Sequence, residues 1–315
     1  MMVKHNKVKK FQRRHLKFVG IERRTEKRYA VAIERFFNFC EFFFEHVPLS
    51  GHQLDFYLGE FINHLFQDES PHQWGVDTFA AVRRWLPAWR GHTTLGRMYL
   101  RNWSRTLTVR RALPLPVGVL LGMCGVAAIG GDWPLCGALY LGFLGLLRTG
   151  ELLTLEVHQV TEYFGANSTV ISLPESKGAK LKNIGESIVV GDQTGRALLR
   201  LLTRGRGPTE KVFNLKFKEL GDGIVRTAAA VGVHSSCLTP YALRRGGATF
   251  HFSKYGSLDQ TTSYGRWALA ATARRYISQA ASDLEGVRQP PEGVRRASRF
   301  ARVFPMLLEM QTGEN

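Results

Sequence analysis

Residues 239–278 read TPYALRRGGATFHFSKYGSLDQTTSYGRWALAATARRYIS, and the order of the arginine, tryptophan and tyrosine residues makes this stretch the most informative part of the chain. Tyr241 and Arg244 stand three positions apart, and Tyr276 comes nine positions after Trp267. No single residue here is informative. Their order and spacing together indicate a compact turn-and-helix segment that offers a guanidinium, an indole N–H and a phenol to one ligand.

A second arginine lies upstream, in the segment GLLRTGELL at 145–153, as Arg148 with Glu151 one helical turn later. Lys177 follows in the turn SKG, 29 positions after Arg148. Planar guanidinium groups hold phosphate oxygens in pairs, and a tyrosine hydroxyl can act as a nucleophile. These residue types therefore indicate phosphoryl chemistry.

In this order the motifs resemble the tyrosine recombinase (phage integrase) family, particularly its eukaryotic, transposon-like branch. The resemblance covers about residues 110–280, and residues 25–107 are similar in layout to the family's helical core-binding domain. It implies a mainly α fold with a small β-hairpin or sheet. A helical, SAM-like N-terminal core-binding domain would precede the mixed α/β catalytic domain of DNA breaking and rejoining enzymes.

The resemblance also implies what the site residues do. Tyr276 would attack a DNA phosphate and form a 3′-phosphotyrosine intermediate, while Arg148 and Arg244 hold the non-bridging oxygens. Lys177 would protonate the departing 5′ oxygen. The implied partner is double-stranded DNA, bound by a tetramer of the chain, and neither ATP, a metal ion nor another cofactor is expected.

Tyr241 departs from the family pattern, which places a histidine at the start of the HxxR motif. A phenol with a pKa of about 10 is a poor base at neutral pH, but its hydroxyl can hydrogen-bond a phosphate. Trp267 would donate its indole N–H to a phosphate oxygen, and Glu151 would orient an arginine. Whether such a site is active depends on what Tyr241 contributes.

Three functions therefore stay open. The first is a site-specific recombinase or integrase. The second is a catalytically impaired, DNA-binding relic of a mobile element, which the tyrosine in place of histidine favours. The third is a relaxase similar to type IB topoisomerases, which shares the chemistry and acts as a monomer.

Composition favours a polyanionic partner, because the formal net charge is +17 and the sequence pI is about 10.1. The four cysteines lie far apart without a CxxC pair, and the histidines show no ligand spacing, so we expect no metal site. The P-loop motif is absent from the sequence. With no apolar signal segment at the N-terminus, we expect a protein that works inside the cell with DNA, in the nucleus if the source is eukaryotic.

The apolar stretch at 115–147 is broken by GGDWP at 130–134 into two pieces of about 14 residues each. A membrane-spanning helix needs about 20, so this pattern predicts two buried helices and no membrane contact. Short β-branched runs predict strands at 170–173 and 186–190. The predicted segments are a basic arm (1–24), the helical core-binding domain (25–107), a linker (108–116), the catalytic domain (117–285) and a C-terminal tail (286–315).

Overall fold

The computed structural model describes residues 21–107, 114–163, 167–173, 185–233, 238–277 and 291–313. The chain divides into two compact units, Met1–Val109 and Arg110–Asn315. This boundary falls within the predicted linker, although the functional names given to the segments stay predictions. The predicted fold class is confirmed: the described part of the chain is mostly helical and contains a small antiparallel sheet.

The first unit is helical, as its three- and four-residue apolar spacing predicts. An ion pair joins its first and third helices, in which Arg28 Nε and Nη2 lie 3.0 Å and 2.5 Å from the carboxylate oxygens of Asp77. Asp55, in the second helix, accepts a 2.8 Å hydrogen bond from the backbone N–H of Leu95 and so caps the N-terminus of the fourth helix. The helices are α1 (Arg23–Phe44), α2 (Gly51–Gln67), α3 (His72–Trp85) and α4 (Thr94–Thr106).

In α1, Ile33, Phe36, Cys40 and Phe43 recur at intervals of three and four, which predicts one buried apolar face, but this face is only partly core. Phe36 is fully buried against Phe61 of α2, as expected for a helix face with this spacing. Phe43, which the sequence places on the same apolar face, is 52% exposed, and Phe42 is 80% exposed. The apolar face therefore extends beyond the surface that the other helices of this unit cover.

The second unit is built around two apolar helices, α5 (Val117–Ile129) and α6 (Trp133–Leu144), as predicted. Asp132 caps α6 by accepting a 3.1 Å hydrogen bond from the backbone N–H of Leu135. Within the described residues, none of the helices has the length and apolar character that a membrane crossing requires. The remaining helices are α7 (Thr149–Thr154), α8 (Gln193–Thr203), α9 (Phe217–Ala230), α10 (Pro240–Tyr255), α11 (Leu258–Tyr264), α12 (Ala270–Arg274) and α13 (Pro291–Thr312).

Three antiparallel strands, in the order β1-β2-β3, form the sheet of the second unit. They are β1 (Val160–Tyr163), β2 (Ser168–Leu173) and β3 (Glu186–Val190). Ile171 pairs with Ile188, and both are buried, because alternate side chains of each strand face the core. Strands β2 and β3 were predicted, but β1 was not.

The tail helix α13 packs on α5 of its own unit. A Cβ on Gly125 would come within 2.0 Å of the carbonyl oxygen of Phe300, and one on Gly122 within 2.8 Å of the Cα of Ala297. The two helices thus touch backbone to backbone, which only glycine permits at these positions. Phe304, in the apolar part of the tail, is 1% exposed and belongs to the core.

Candidate active site

The site begins where α10 crosses the end of α6. A Cβ on Gly247 would meet the Phe143 carbonyl oxygen at 2.0 Å, and one on Gly246 would meet the Leu115 carbonyl oxygen at 2.3 Å. The paired glycines let the α10 backbone lie directly against its neighbours. As a result Arg244, in the preceding residues of the same helix, faces the turn that joins α6 to α7.

Arg244 is the buried cation of the site, at 3% exposure. Its Nη1 donates to the carbonyl oxygen of Leu146, and its Nη2 donates to that of Gly265 at 2.6 Å. Leu146 has a φ of 46°, in the left-handed region, and this turn directs its carbonyl group at the guanidinium. Burial, together with the nearby charges of Arg148 and Arg266, lowers the pKa of Arg244 to about 10.

Arg148 sits at the N-cap of α7 and is held by two carboxylates. Its backbone N–H donates to Glu151 Oε2 at 2.9 Å, its Nη1 pairs with Glu151 Oε1, and the same nitrogen lies 3.5 Å from Glu186 Oε2. Burial alone would lower the pKa of Arg148, but the charges of Glu151 and Glu186 raise it. The side chain is 31% exposed, so solvent or a ligand can reach it.

Arg266 supplies a third guanidinium group to the site, which the motif spacing did not predict. Its Nη2 donates to Glu151 Oε2 at 2.7 Å, and its Nε lies 3.5 Å from Glu186 Oε2. Arg266 has a φ of 58°, again in the left-handed region, and its side chain is only 7% exposed. Burial and the charge of Arg148 lower its pKa, although Glu151 opposes this.

The rings of Trp267 and Tyr276 lie over the guanidinium group of Arg244. The ring centres of Trp267 and Tyr276 are 4.8 Å apart, and Arg244 Cζ lies 4.8 Å from the Trp267 ring and 5.7 Å from the Tyr276 ring. Such distances suit cation–π contact. The Thr249 hydroxyl donates to the backbone carbonyl of Tyr276 at 3.4 Å, which ties the tyrosine segment to α10.

Tyr241 lies at the first turn of α10, 46% exposed, with its ring centre 5.3 Å from that of Tyr276. Burial, and then a hydrogen bond and charge interaction with Tyr276, raises the pKa of Tyr241 above the ordinary tyrosine value, although Arg244 and Arg245 act in the opposite direction. At neutral pH this hydroxyl is therefore protonated and can donate a hydrogen bond. It is not a base.

The structure thus brings together Arg148, Glu151, Arg244, Trp267, Tyr276 and Tyr241. Lys177 belongs to residues 174–184, which lie outside the described parts of the chain, so its predicted role stays a prediction. A base other than Tyr241 could be a histidine such as His251, but its ring stacks on that of Tyr264 with the centres 4.6 Å apart, and its Nδ1 lies 2.9 Å from the Thr261 hydroxyl oxygen. These are packing contacts, and they do not indicate a role as a base.

No group of three or more histidine, cysteine, aspartate or glutamate side chains among the described residues is placed to hold a metal ion. Two of the site's guanidinium groups, those of Arg148 and Arg266, form ion pairs with carboxylates, whereas that of Arg244 donates to backbone carbonyl oxygens. Guanidinium groups beside a phenol are residue types that can bind an anion.

Arg266 and Glu186 were missed because sequence alone does not pair them. Arg266 stands beside Trp267 in the motif GRW, and this adjacency was the one signal available. Glu186 is the first residue of β3, and a carboxylate next to β-branched residues in a strand indicates that it has a specific partner. Its two arginines are 38 and 80 positions away in the chain, at 148 and 266.

No protein-family model matches the chain, and no curated protein matches it in sequence. Solved structures do match. XerA recombinase is 14% identical, with a TM-score of 0.44 over 86% of this chain and 93% of that one. The pre-cleavage complex of XerH site-specific recombinase bound to difH substrate is 14% identical, with a TM-score of 0.41 over 75% of this chain and 77% of that one.

The post-cleavage complex of XerH site-specific recombinase, bound to a palindromic difH substrate, gives a TM-score of 0.51 at 14% identity. The match covers 84% of this chain and 78% of that one. At this level of sequence identity, the structural similarity is evidence for the fold alone. The chain has the tyrosine recombinase fold.

Proposed function

We propose that this protein cuts and rejoins double-stranded DNA through a 3′-phosphotyrosine intermediate, as a site-specific recombinase or integrase. The observation that carries the proposal is the setting of Arg244. This guanidinium is buried, and no carboxylate among the described residues forms an ion pair with it. It lies 5.7 Å from the ring of Tyr276.

A buried cation without a paired anion is costly, and a bound anion would offset that cost. The three guanidinium groups of Arg148, Arg244 and Arg266 face two carboxylates, which leaves one net positive charge on these five side chains. A phosphodiester carries one negative charge. The charge balance therefore suits one DNA phosphate beside a tyrosine.

The proposed step is a transesterification. The Tyr276 hydroxyl oxygen forms a bond to phosphorus, the bond from phosphorus to the 5′ oxygen breaks, and the phenolic proton passes to solvent. The 5′ oxygen takes up a proton, for which Lys177 is the proposed donor. Attack by the 5′ hydroxyl on the phosphotyrosine reverses every bond change, so rejoining needs no external energy source.

Arg148 and Arg244 would hold the two non-bridging oxygens as charge builds up in the transition state. Removing one donor of this kind typically reduces the rate by about 10²–10³-fold. Trp267 would pack the Tyr276 ring and offer its indole N–H. Tyr241, a neutral donor next to Tyr276, would hydrogen-bond either the attacking oxygen or the phosphate, in place of a histidine.

The first unit offers a surface for the DNA backbone. Arg97, Arg101 and Arg105 recur every four residues on α4, so they lie on one helical face, and all three are exposed. The helix has no acidic residue, and within the described residues these arginines form no ion pair. Phosphate contacts by such side chains release counterions, which makes DNA binding weaken steeply with salt.

Covalent trapping tests the proposal. The full-length chain is incubated without metal with nicked suicide duplexes from a random-sequence library, and adducts that survive denaturation are isolated and mapped. We expect an adduct at Tyr276 that Tyr276→Phe abolishes. Tyr163→Phe is the matched control, because Tyr163 is 56% exposed on β1 and should leave the adduct unchanged.

The same experiment separates the alternatives. A folded protein that binds DNA with steep salt dependence but forms no adduct is the relic of a mobile element, which the raised pKa of Tyr241 favours. An adduct with relaxation of supercoiled plasmid, but no exchange between two sites, is a topoisomerase-like relaxase. The recombinase proposal includes a tetramer on DNA, and its eukaryotic, transposon-like branch would place the protein in the nucleus.

A further inference from the structure

The buried ion-pair cluster around Glu151 holds one arginine that the proposed chemistry does not use. Arg266 donates to Glu151 Oε2 at 2.7 Å and lies 3.5 Å from Glu186 Oε2. Its Nη1 and Nη2 also reach the carbonyl oxygens of Gly145 and Leu146, at 3.5 Å and 3.3 Å. Unlike Arg244, which donates to backbone carbonyl oxygens, Arg266 is bound to two carboxylates, so it is placed to act on them.

Arg148 shares both of these carboxylates. Its Nη1 pairs with the other oxygen of Glu151 and lies 3.5 Å from the same Glu186 oxygen that Arg266 approaches. The side chains of Glu151 and Glu186 are 6% and 11% exposed, so water screens their charges poorly. The strength with which the two carboxylates attract the Arg148 guanidinium therefore depends on how far Arg266 neutralises their charge.

We infer that Arg266 is a positioning residue, which binds Glu151 and Glu186 so that these carboxylates orient Arg148 without neutralising it. The inference rests on the proposed function, because it assigns Arg148 to a phosphate. Without Arg266, two buried carboxylates face Arg148 alone and pull its guanidinium towards themselves. The five-group cluster also loses its net positive charge, and with it the attraction for a phosphodiester.

The backbone of Arg266 supports a specific role. A φ of 58° is unusual for a residue with a side chain, and such conformations persist where the surroundings enforce them. The motif GRW turns sharply at this point, so that Arg266 enters the carboxylate pair while Trp267 packs on Arg244. A residue selected only for the turn would be glycine or asparagine.

The first test compares single-turnover formation of the Tyr276 adduct in the full chain and three variants. Arg266→Gln should reduce the rate about 10²-fold, the loss typical of a reacting group misplaced by about 1 Å. The double variant Arg266→Gln with Glu151→Gln should regain at least tenfold of that rate, because one competing carboxylate is gone. Arg266→Lys, which keeps the charge, should stay within about tenfold of the wild type.

A purely structural role gives the opposite pattern, because the double variant then loses another buried contact and is no faster than Arg266→Gln. That result, or an unchanged rate in Arg266→Gln, overturns the inference. Thermal melting verifies that each variant is folded. If Arg266→Gln does not fold, the decision falls to Arg266→Lys, and a folded lysine variant slower than wild type by more than a hundredfold overturns the inference.

Inorganic phosphate provides a readout that does not depend on DNA cleavage. We expect phosphate to raise the melting temperature of the wild type, and to raise that of Arg266→Gln by less. In the double variant Arg266→Gln with Glu151→Gln, the increase should return towards that of the wild type. An equal phosphate effect in the wild type and Arg266→Gln overturns the inference. If the wild type forms no adduct yet phosphate behaves as expected, the proposed function fails and the positioning role stands.

Discussion

Gly265→Ala should disturb the site through one clash. A Cβ at this position would lie 1.9 Å from Trp267 Cζ3 and 2.3 Å from Cε3, whereas ordinary contact begins at 3.4 Å. The indole, 9% exposed, would have to shift by about 1.5 Å, the difference between 3.4 Å and 1.9 Å. Overpacking of this kind costs about 1–3 kcal/mol. For a unit of about 200 residues, 2 kcal/mol corresponds to a melting temperature lower by about 4–8 °C.

The shift should also reduce activity, because Trp267 packs on both Arg244 and Tyr276. A displacement of about 1 Å can reduce a reaction rate about 10²-fold. Melting is followed by calorimetry, and activity by single-turnover adduct formation. Gly221→Ala is the control, since a Cβ on this helical glycine meets nothing within 4 Å and should be neutral or stabilise by up to about 1 kcal/mol. If Gly265→Ala melts like Gly221→Ala, the close packing of glycine and indole is refuted.

Three further changes test the fold. Asp77→Asn removes the charge that pairs with Arg28, so the first unit should lose about 1–3 kcal/mol, measured by urea unfolding; an unchanged midpoint would contradict this. Tyr140→Phe removes a 2.8 Å hydrogen bond to Asp192 and should cost about 1.5–3 kcal/mol at pH 7. Burial and Asp192 raise the pKa of Tyr140, so its contribution to the free energy of unfolding is fully present below about pH 10 and is lost as the pH rises further. Urea unfolding from pH 7 to pH 10.5 should therefore show that stability decreases less steeply with pH in the variant than in the wild type. Gly125→Ala should lower the melting temperature of the second unit by several degrees, because its Cβ would lie 2.0 Å from a backbone oxygen of α13; equal melting would count against that contact.

The sequence predicted the elements that local pattern determines. The spacing of Ile33, Phe36 and Cys40 predicted an apolar helix face, and all three are buried. The runs at 170–173 and 186–190 predicted strands, which the sheet contains. Strand β1 was missed because VTEY is short and half polar, so it becomes a strand only by pairing with β2. Phe43 was expected in the core, and whether a neighbour covers it depends on tertiary packing.

The arrangement of the site depends on contacts that sequence spacing does not contain. The order of Arg148, Arg244, Trp267 and Tyr276 predicted the cluster that the structure brings together. That Arg266 shares two carboxylates with Arg148 could not be predicted, because the three segments involved meet only in the folded chain. Nor could the sequence show that Tyr241 lies next to Tyr276, since this depends on the direction in which α10 begins.

The pairing of α5 with α13 has a consequence for how the chain folds. About half of the 315 residues lie between these two helices, yet their backbones are in direct contact. Closing so long a loop costs conformational entropy before any contact compensates for it, and contacts of high sequence separation slow folding. The four helices of the first unit meet through much shorter loops. We therefore expect refolding in two phases, a fast one for the first unit and a slower one that waits for α13 to close the core of the second.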